Sequence, residues 1–160
     1  LADYSLPSKT LSQISEEAMI VSARDAERTS IPWFHTTPLS RGVIRDIMIM
    51  QLITHSHDQG WTTDPKTSSY SWFSIRVIRA DDHSLTGSME NQDIEWKSHS
   101  NAVASKDTER HEGKIFDSNH EVWTHLGEGD YLEVTANAQY GGWQNYAERG
   151  ILQICTRWRP

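Results

Sequence analysis

The chain has a single cysteine, Cys155, so no internal disulfide can form. That excludes a small secreted scaffold stapled by disulfides and favours an intracellular protein. There is no apolar run near the ~20 residues that a membrane-spanning helix needs. The longest stretch, Ile47 to Ile53, is interrupted by Gln51. Positive charge is scarce: 15 Lys and Arg against 22 Asp and Glu leave a formal net charge of −7. Non-specific binding to nucleic acid or to an anionic membrane rests on clustered positive charge, so both are disfavoured. There is no G-x-S-x-G nucleophile motif, and Gly127-Glu128-Gly129-Asp130 lacks the helix and the lysine of a phosphate loop. The first residue is Leu1, not Met, which reads as processing or as a fragment, and no signal peptide is legible.

Tryptophan, by contrast, is abundant: seven in 160 residues. Each is either core filler or a stacking platform for a ligand. The length suffices for one domain with a hydrophobic core. Residues 1–40 are expected as an N-terminal arm and first strand, and 41–160 as the sandwich core of a single domain. In the arm, Pro7 marks a turn, Ser12 to Met19 has the composition of a short helix, and Ile20 to Arg24 reads as a short strand. Pro32 and Pro38 bracket an irregular connection. Val43 to Thr54 carries apolar residues on both faces, as a covered central strand does. Ser71 to Arg79, Ile94 to His99 and Tyr131 to Ala138 alternate with period two, and Ile151 to Trp158 is a last strand. Ser98 to Lys114 is polar and reads as a long loop, and Val122 to Leu126 as a short helical turn. Several short alternating strands separated by turn signals mean an all-β fold, an antiparallel β-sandwich or jelly roll of galactose-binding-like type, with a short N-terminal helix or arm.

Two strand exits echo each other. ITHSHDQGWTT, from Ile53, and TANAQYGGWQNY, from Thr135, both run out into polar residues and end in Gly-Trp. Aligned on that pair, Asp58 meets Tyr140 and Gln59 meets Gly141. Gly60 and Gly142 suit positive-φ turns. The echo points to two similar loops at the same end of the sandwich, and loops at one end of a rigid scaffold commonly bind ligands.

Three chemistries compete there. His55 and His57 are two apart, so on a strand they share a side and resemble the start of a zinc site. HSHD is similar to the His-x-His-x-Asp opening of metallo-β-lactamase-type sites, but Asp58 comes one place early. The further ligands would come from His35, His83, His99, His111, His120 or His125, none in a recognisable pair; the bland alternative is that Asp58 and His57 pin their own turn. Carbohydrate binding combines an aromatic platform with amide, carboxylate and imidazole groups around it. His57, Asp58, Gln59, Trp61, Tyr140, Trp143, Gln144 and Asn145 supply that list, against the plainer reading that Trp61 and Trp143 plug the core. Nucleophilic catalysis is the third: Cys155 lies in an expected strand and reads as a buried inert thiol. Glu90 with Glu95, or Asp81 with Asp82, reads as solvated loop charge.

SHDQGW (56–61), YSWF (70–73), Trp96 on a strand, WTHLGEGDYLEV (123–134) and AQYGGWQNY (138–146) together resemble a domain recurring in fungal proteins. That domain occurs alone or joined to F-box or other interaction modules. The resemblance spans about residues 43 to 154 and implies a β-sandwich recognition domain without established catalytic residues. The chain departs from the pattern at YSWF, where a second tryptophan is usual, and at Gly141, where proline is usual. The expectation is therefore a non-catalytic, lectin-like β-sandwich that binds a glycan or glycoprotein through loops at one end, with no cofactor and no metal. A protein-recognition domain is the second reading and a metal-dependent hydrolase the third. Multivalent glycan binding implies a homodimer or higher oligomer. The expected location is the cytoplasm, or outside the cell by a non-classical route.

Overall fold

A computed structural model describes residues 8–80 and 94–158. Readings placed on Pro7, Asp81, Asp82, His83 and Glu90 lie outside the described residues. Two antiparallel sheets face each other. In the first, β1 (Ser8–Ser15) and β2 (Met19–Ser22) both pair with β9 (Gln144–Arg157), β9 pairs with β4 (Ile47–His57), and β4 with β7 (Glu109–Asp117). In the second, the order is β3 (Thr29–His35), β8 (Tyr131–Ala138), β5 (Ser71–Ile78) and β6 (Glu95–Ser100). A short helix, α1 (Arg41–Asp46), leads into β4, and a 3-10 turn (Glu121–His125) lies between β7 and β8. The all-β antiparallel sandwich expected from the alternation is what forms.

Alternation builds the core. Leu132, Val134, Ala136 and Ala138 of β8 point inward beside Phe73, Ile75 and Val77 of β5. They meet Met50 and Leu52 of β4, Leu152 and Ile154 of β9, and Phe116 of β7. Each such large side chain, when fully buried, contributes about 1.5–3 kcal/mol. The outer face of the second sheet is polar. Arg28, just before β3, reaches Glu95 of β6 at 2.8 Å, and Arg76 faces Glu133 at 3.7 Å. Burial pushes the Glu133 carboxyl above its ordinary range, against the pull of Arg76.

Several local expectations are corrected. Ser12 to Met19 is not a helix: β1 runs to Ser15 and pairs residue by residue with β9. An isolated turn of helix is costly to nucleate, whereas the edge of β9 offers a ladder of ready partners. Residues 43–46 belong to α1, because Ser40 caps that helix by accepting the Val43 N–H at 3.2 Å. The strand itself starts at Ile47. Pro32 lies within β3, which it can do because β3 is an edge strand with a bulge between Pro32 and Phe34. The polar segment read as one loop is a loop only over 101–108, because β6 reaches Ser100 and β7 starts at Glu109. Its pattern was obscured because only Gly113 and Phe116 of β7 are buried. β9 begins seven residues before Ile151, at Gln144. Cys155 is half-buried beside Thr10, not enclosed in the core.

The two sheets close on each other where β6 meets β7. A Cβ on Gly113 would lie 2.7 Å from both His99 Nδ1 and Leu52 O, and would overlap Ser98 Oγ. Only glycine lets the strands approach this closely. His99 is held there by hydroxyls: Nε2 lies 2.8 Å from Thr54 Oγ1 and Nδ1 lies 2.8 Å from Ser98 Oγ. Burial, together with His111 and Lys97, lowers its pKa from 6.5 to about 4.

Gly113→Ala should lower the urea-unfolding free energy by about 1–3 kcal/mol through overpacking. His99 gives a pH signature. Between 6.5 and about 4 the unfolded chain takes up a proton that the folded chain refuses. Stability from this group is therefore lost as pH falls through that window and levels off below it. Thermal melts across the window should show His99→Gln losing less stability than the parent chain over the same pH drop.

Candidate functional site

Four connections gather at one end of the sandwich: 23–28, 58–70, 101–108 and 139–143. Asp58 organises three of their N–H groups. Its side chain is fully buried. Oδ1 accepts from Gly60 N at 2.8 Å and Ser105 N at 3.0 Å, and Oδ2 accepts from Ala104 N at 2.6 Å. Gly60 has φ +86°, and a Cβ on it would meet the Lys106 Cβ at 2.7 Å. The turn that brings the Gly60 N–H to Asp58 is thus closed to other residues on two counts.

The two Gly-Trp loops do meet. Gln59 Oε1 accepts from the Gln144 backbone N–H at 3.0 Å, and its Nε2 donates to Trp61 O at 2.7 Å. Gly142, at φ +93°, lies against the Trp61 ring: a Cβ there would be 3.0 Å from Trp61 Cη2. The equivalent tryptophans have opposite fates. Trp143 is 9% exposed and belongs to the core, while Trp61 is 55% exposed. Tyr70 packs edge-on against both Trp143 and Tyr140. Tyr140, at φ +68°, remains 42% exposed.

Asn145 is also fully buried. Its Nδ2 donates to Trp72 O at 3.0 Å and Asn137 O at 3.3 Å, and its Oδ1 accepts from Asn101 Nδ2 at 3.0 Å. Asn101 also donates to Ser71 Oγ at 2.7 Å and accepts from Ser56 Oγ at 2.6 Å. No motif in the sequence marks Ser56, Ser71 or Asn101. The available signal was the presence of Ser56 and Ser71 at inward positions of their strands. Gln144 donates to Ser22 Oγ at 3.1 Å and accepts from Tyr146 Oη at 2.9 Å. His57 stacks on Tyr146, 4.5 Å between centroids and 10° from parallel, and its Nδ1 is 2.6 Å from Asp58 O.

The eight candidates therefore divide. Asp58, Trp143 and Asn145 are built into the fold, Trp61 and Tyr140 are presented to solvent, and His57, Gln59 and Gln144 lie between. His55 does share the outer side of β4 with His57, but it sits elsewhere, in an open depression of about 360 Å³ with Glu16, Thr108, Glu148 and Arg149. Among the described residues, no group of three or more His, Cys, Asp or Glu side chains is placed to hold a metal ion. No helix among them is long and apolar enough to cross a membrane.

The fold and this loop end define an antiparallel β-sandwich with a clasped, aromatic-tipped end. The chain matches no protein-family description and no curated protein. Among solved structures it is similar to the VP2 subviral particle of infectious bursal disease virus, with a TM-score of 0.51 and 8% identity over 94% of this chain. The match covers 33% of that protein, so the chain spans about a third of its length. At that identity the likeness is one of fold. A Maize Chlorotic Mottle Virus structure superposes with a TM-score of 0.30 and 12% identity, covering 94% of this chain and 93% of that one. That superposition is too loose to bear on the fold.

Asp58→Ala should strip three backbone donors of their acceptor at once. We expect a loss of about 3 kcal/mol or more in chemical denaturation, since each stranded buried group costs about 1–3 kcal/mol. Proteolysis should then cut first in 58–70 or 101–108. A variant as stable as the parent would show that the clasp is unimportant.

Proposed function

We propose that the chain is a non-catalytic, lectin-like carbohydrate-binding sandwich that holds its ligand on the clasped loop end. One observation carries the reading: Trp61 and Tyr140 stay largely exposed although both sit on loops tied down by Asp58 and Gln59. An exposed indole held against Gly142 is a preorganised platform for the C–H face of a sugar ring. Gln59, bonded to the Trp61 carbonyl, and Gln144 each spend one N–H and one lone pair inside the clasp, which leaves each amide a second donor and acceptor for hydroxyls. The partner would be a glycan or glycoprotein. On this reading the resemblance to a fungal recognition domain and the non-catalytic assignment belong together.

A second reading, a protein-recognition domain, is favoured by Ile14, Ile49 and Ile115, which are exposed on the outer side of the first sheet. Glycan-array binding separates the two. Trp61→Ala and Tyr140→Ala should each weaken binding about tenfold or more, equivalent to about 1.4 kcal/mol, with thermal stability nearly unchanged. Trp143→Ala is unsuitable as a probe, because it would empty the core. No binding by the parent chain, or full binding by Trp61→Ala, sinks the proposal.

A further inference from the structure

The outer side of the first sheet carries an uncharged belt. Strand register lays it out in three rows. Ile14 and Ile151 lie side by side on β1 and β9, next to Ile53 of β4, which is only 5% exposed and forms the floor of the row. Ser12, Gln153, Gln51 and Ile115 form the next row, continuing onto β7. Thr10, Cys155 and Ile49 form the third. Ile14, Ile49 and Ile115 are 48%, 42% and 56% exposed. On β7 the first and third rows end at Glu112 and Asp117, and toward the loop end the face turns to His55, flanked by Arg149 and Arg110. The belt is thus bounded by charge and free of it inside, in a chain that is 23% charged.

We propose that this belt is the contact through which two copies of the chain pair, sheet against sheet. The choice of a second copy rests on charge. Each copy carries a formal charge of −7, so long-range repulsion opposes pairing, and a contact patch without charge adds nothing to that repulsion. A two-fold contact also sets a patch against itself. A patch rich in one charge is self-repulsive, whereas isoleucines pack on isoleucines. A glutamine amide, donor and acceptor at once, pairs with its own copy. Sheets with such faces pack about 10 Å apart. At about 4.8 Å between strands and 3.4 Å per residue, the belt is roughly 20 Å by 20 Å. That is on the order of 400 Å² per copy, about half of a standard interface. The dimer is accordingly weak and depends on concentration. Two copies would each present one aromatic-tipped end, which gives a glycan-binding chain two sites, but the pairing itself does not rest on the glycan reading.

Sedimentation of the full chain from about 1 μM to about 500 μM, a range that brackets micromolar affinity, tests the pairing without glycan. The parent should shift from monomer to dimer over that range. Ile115→Lys and Ile49→Lys should each weaken association about tenfold or more. Ile20→Lys, on the neighbouring β2 and outside the belt, should leave it unchanged. Circular dichroism melts establish that each variant is folded, and Ile115→Gln serves if a lysine variant is not. A parent that stays monomeric throughout, or a dimer that survives Ile115→Lys and Ile49→Lys, overturns the proposal. Because no sugar is present, that failure is distinct from failure to bind glycan.

Discussion

The Asp58 carboxylate is the interaction on which the loop end depends. It sits where β4 leaves the first sheet and gathers N–H groups from two separate connections. Satisfying buried donors in this way turns 58–61 and 104–105 from wandering loops into one fixed surface. Gln59, next in sequence, extends the clasp to the β8–β9 loop. The exposure of Trp61 and Tyr140 follows from this arrangement: their backbones are held from beneath, so their rings need no core contact to stay in place.

The opposite end uses the same device. Asp130 is buried and accepts from Gly127 N at 2.8 Å and Ala80 N at 2.9 Å, while Arg79 approaches its Oδ2 at 3.3 Å. Both aspartates lie beside positive-φ glycines, Gly60 and Gly129. Between them the interior changes character. It is aliphatic around Leu52, Leu152 and Val134, and hydrogen-bonded toward the loops around Thr54, Ser56, Asn101 and Asn145. A polar layer of this kind is tolerable only when each member finds partners, and here the chain runs from His99 through Thr54 and Ser56 to Asn145.

Much of this architecture could be read from residue order. Tyr131 to Ala138 matched its strand end for end, because a period-two pattern on a strand with one face in the core has only one register that buries it. The echo between the Gly-Trp segments was legible because positive φ demands glycine at both turns. Other elements were not legible. Ser12 to Ser15 has weak propensity of its own, and β7 shows the core only Gly113 and Phe116. In both, the strand exists because a neighbour supplies its hydrogen bonds, and that neighbour is distant in sequence.

The sequence by itself determined the all-β class, the two Gly-Trp turns and the end of the sandwich where the unusual residues collect. These depend on local rules: alternation, glycine conformations and charge. Only the tertiary structure decided which of two equivalent tryptophans is core and which is surface. It also decided that Asp58 and Asn145 serve the fold, and that ten uncharged residues from four strands form one belt. Burial and contact are sums over segments far apart in the chain. Trp143 is enclosed because Tyr70 and the core lie behind it, whereas Trp61 rests on Gly142 and stays 55% exposed.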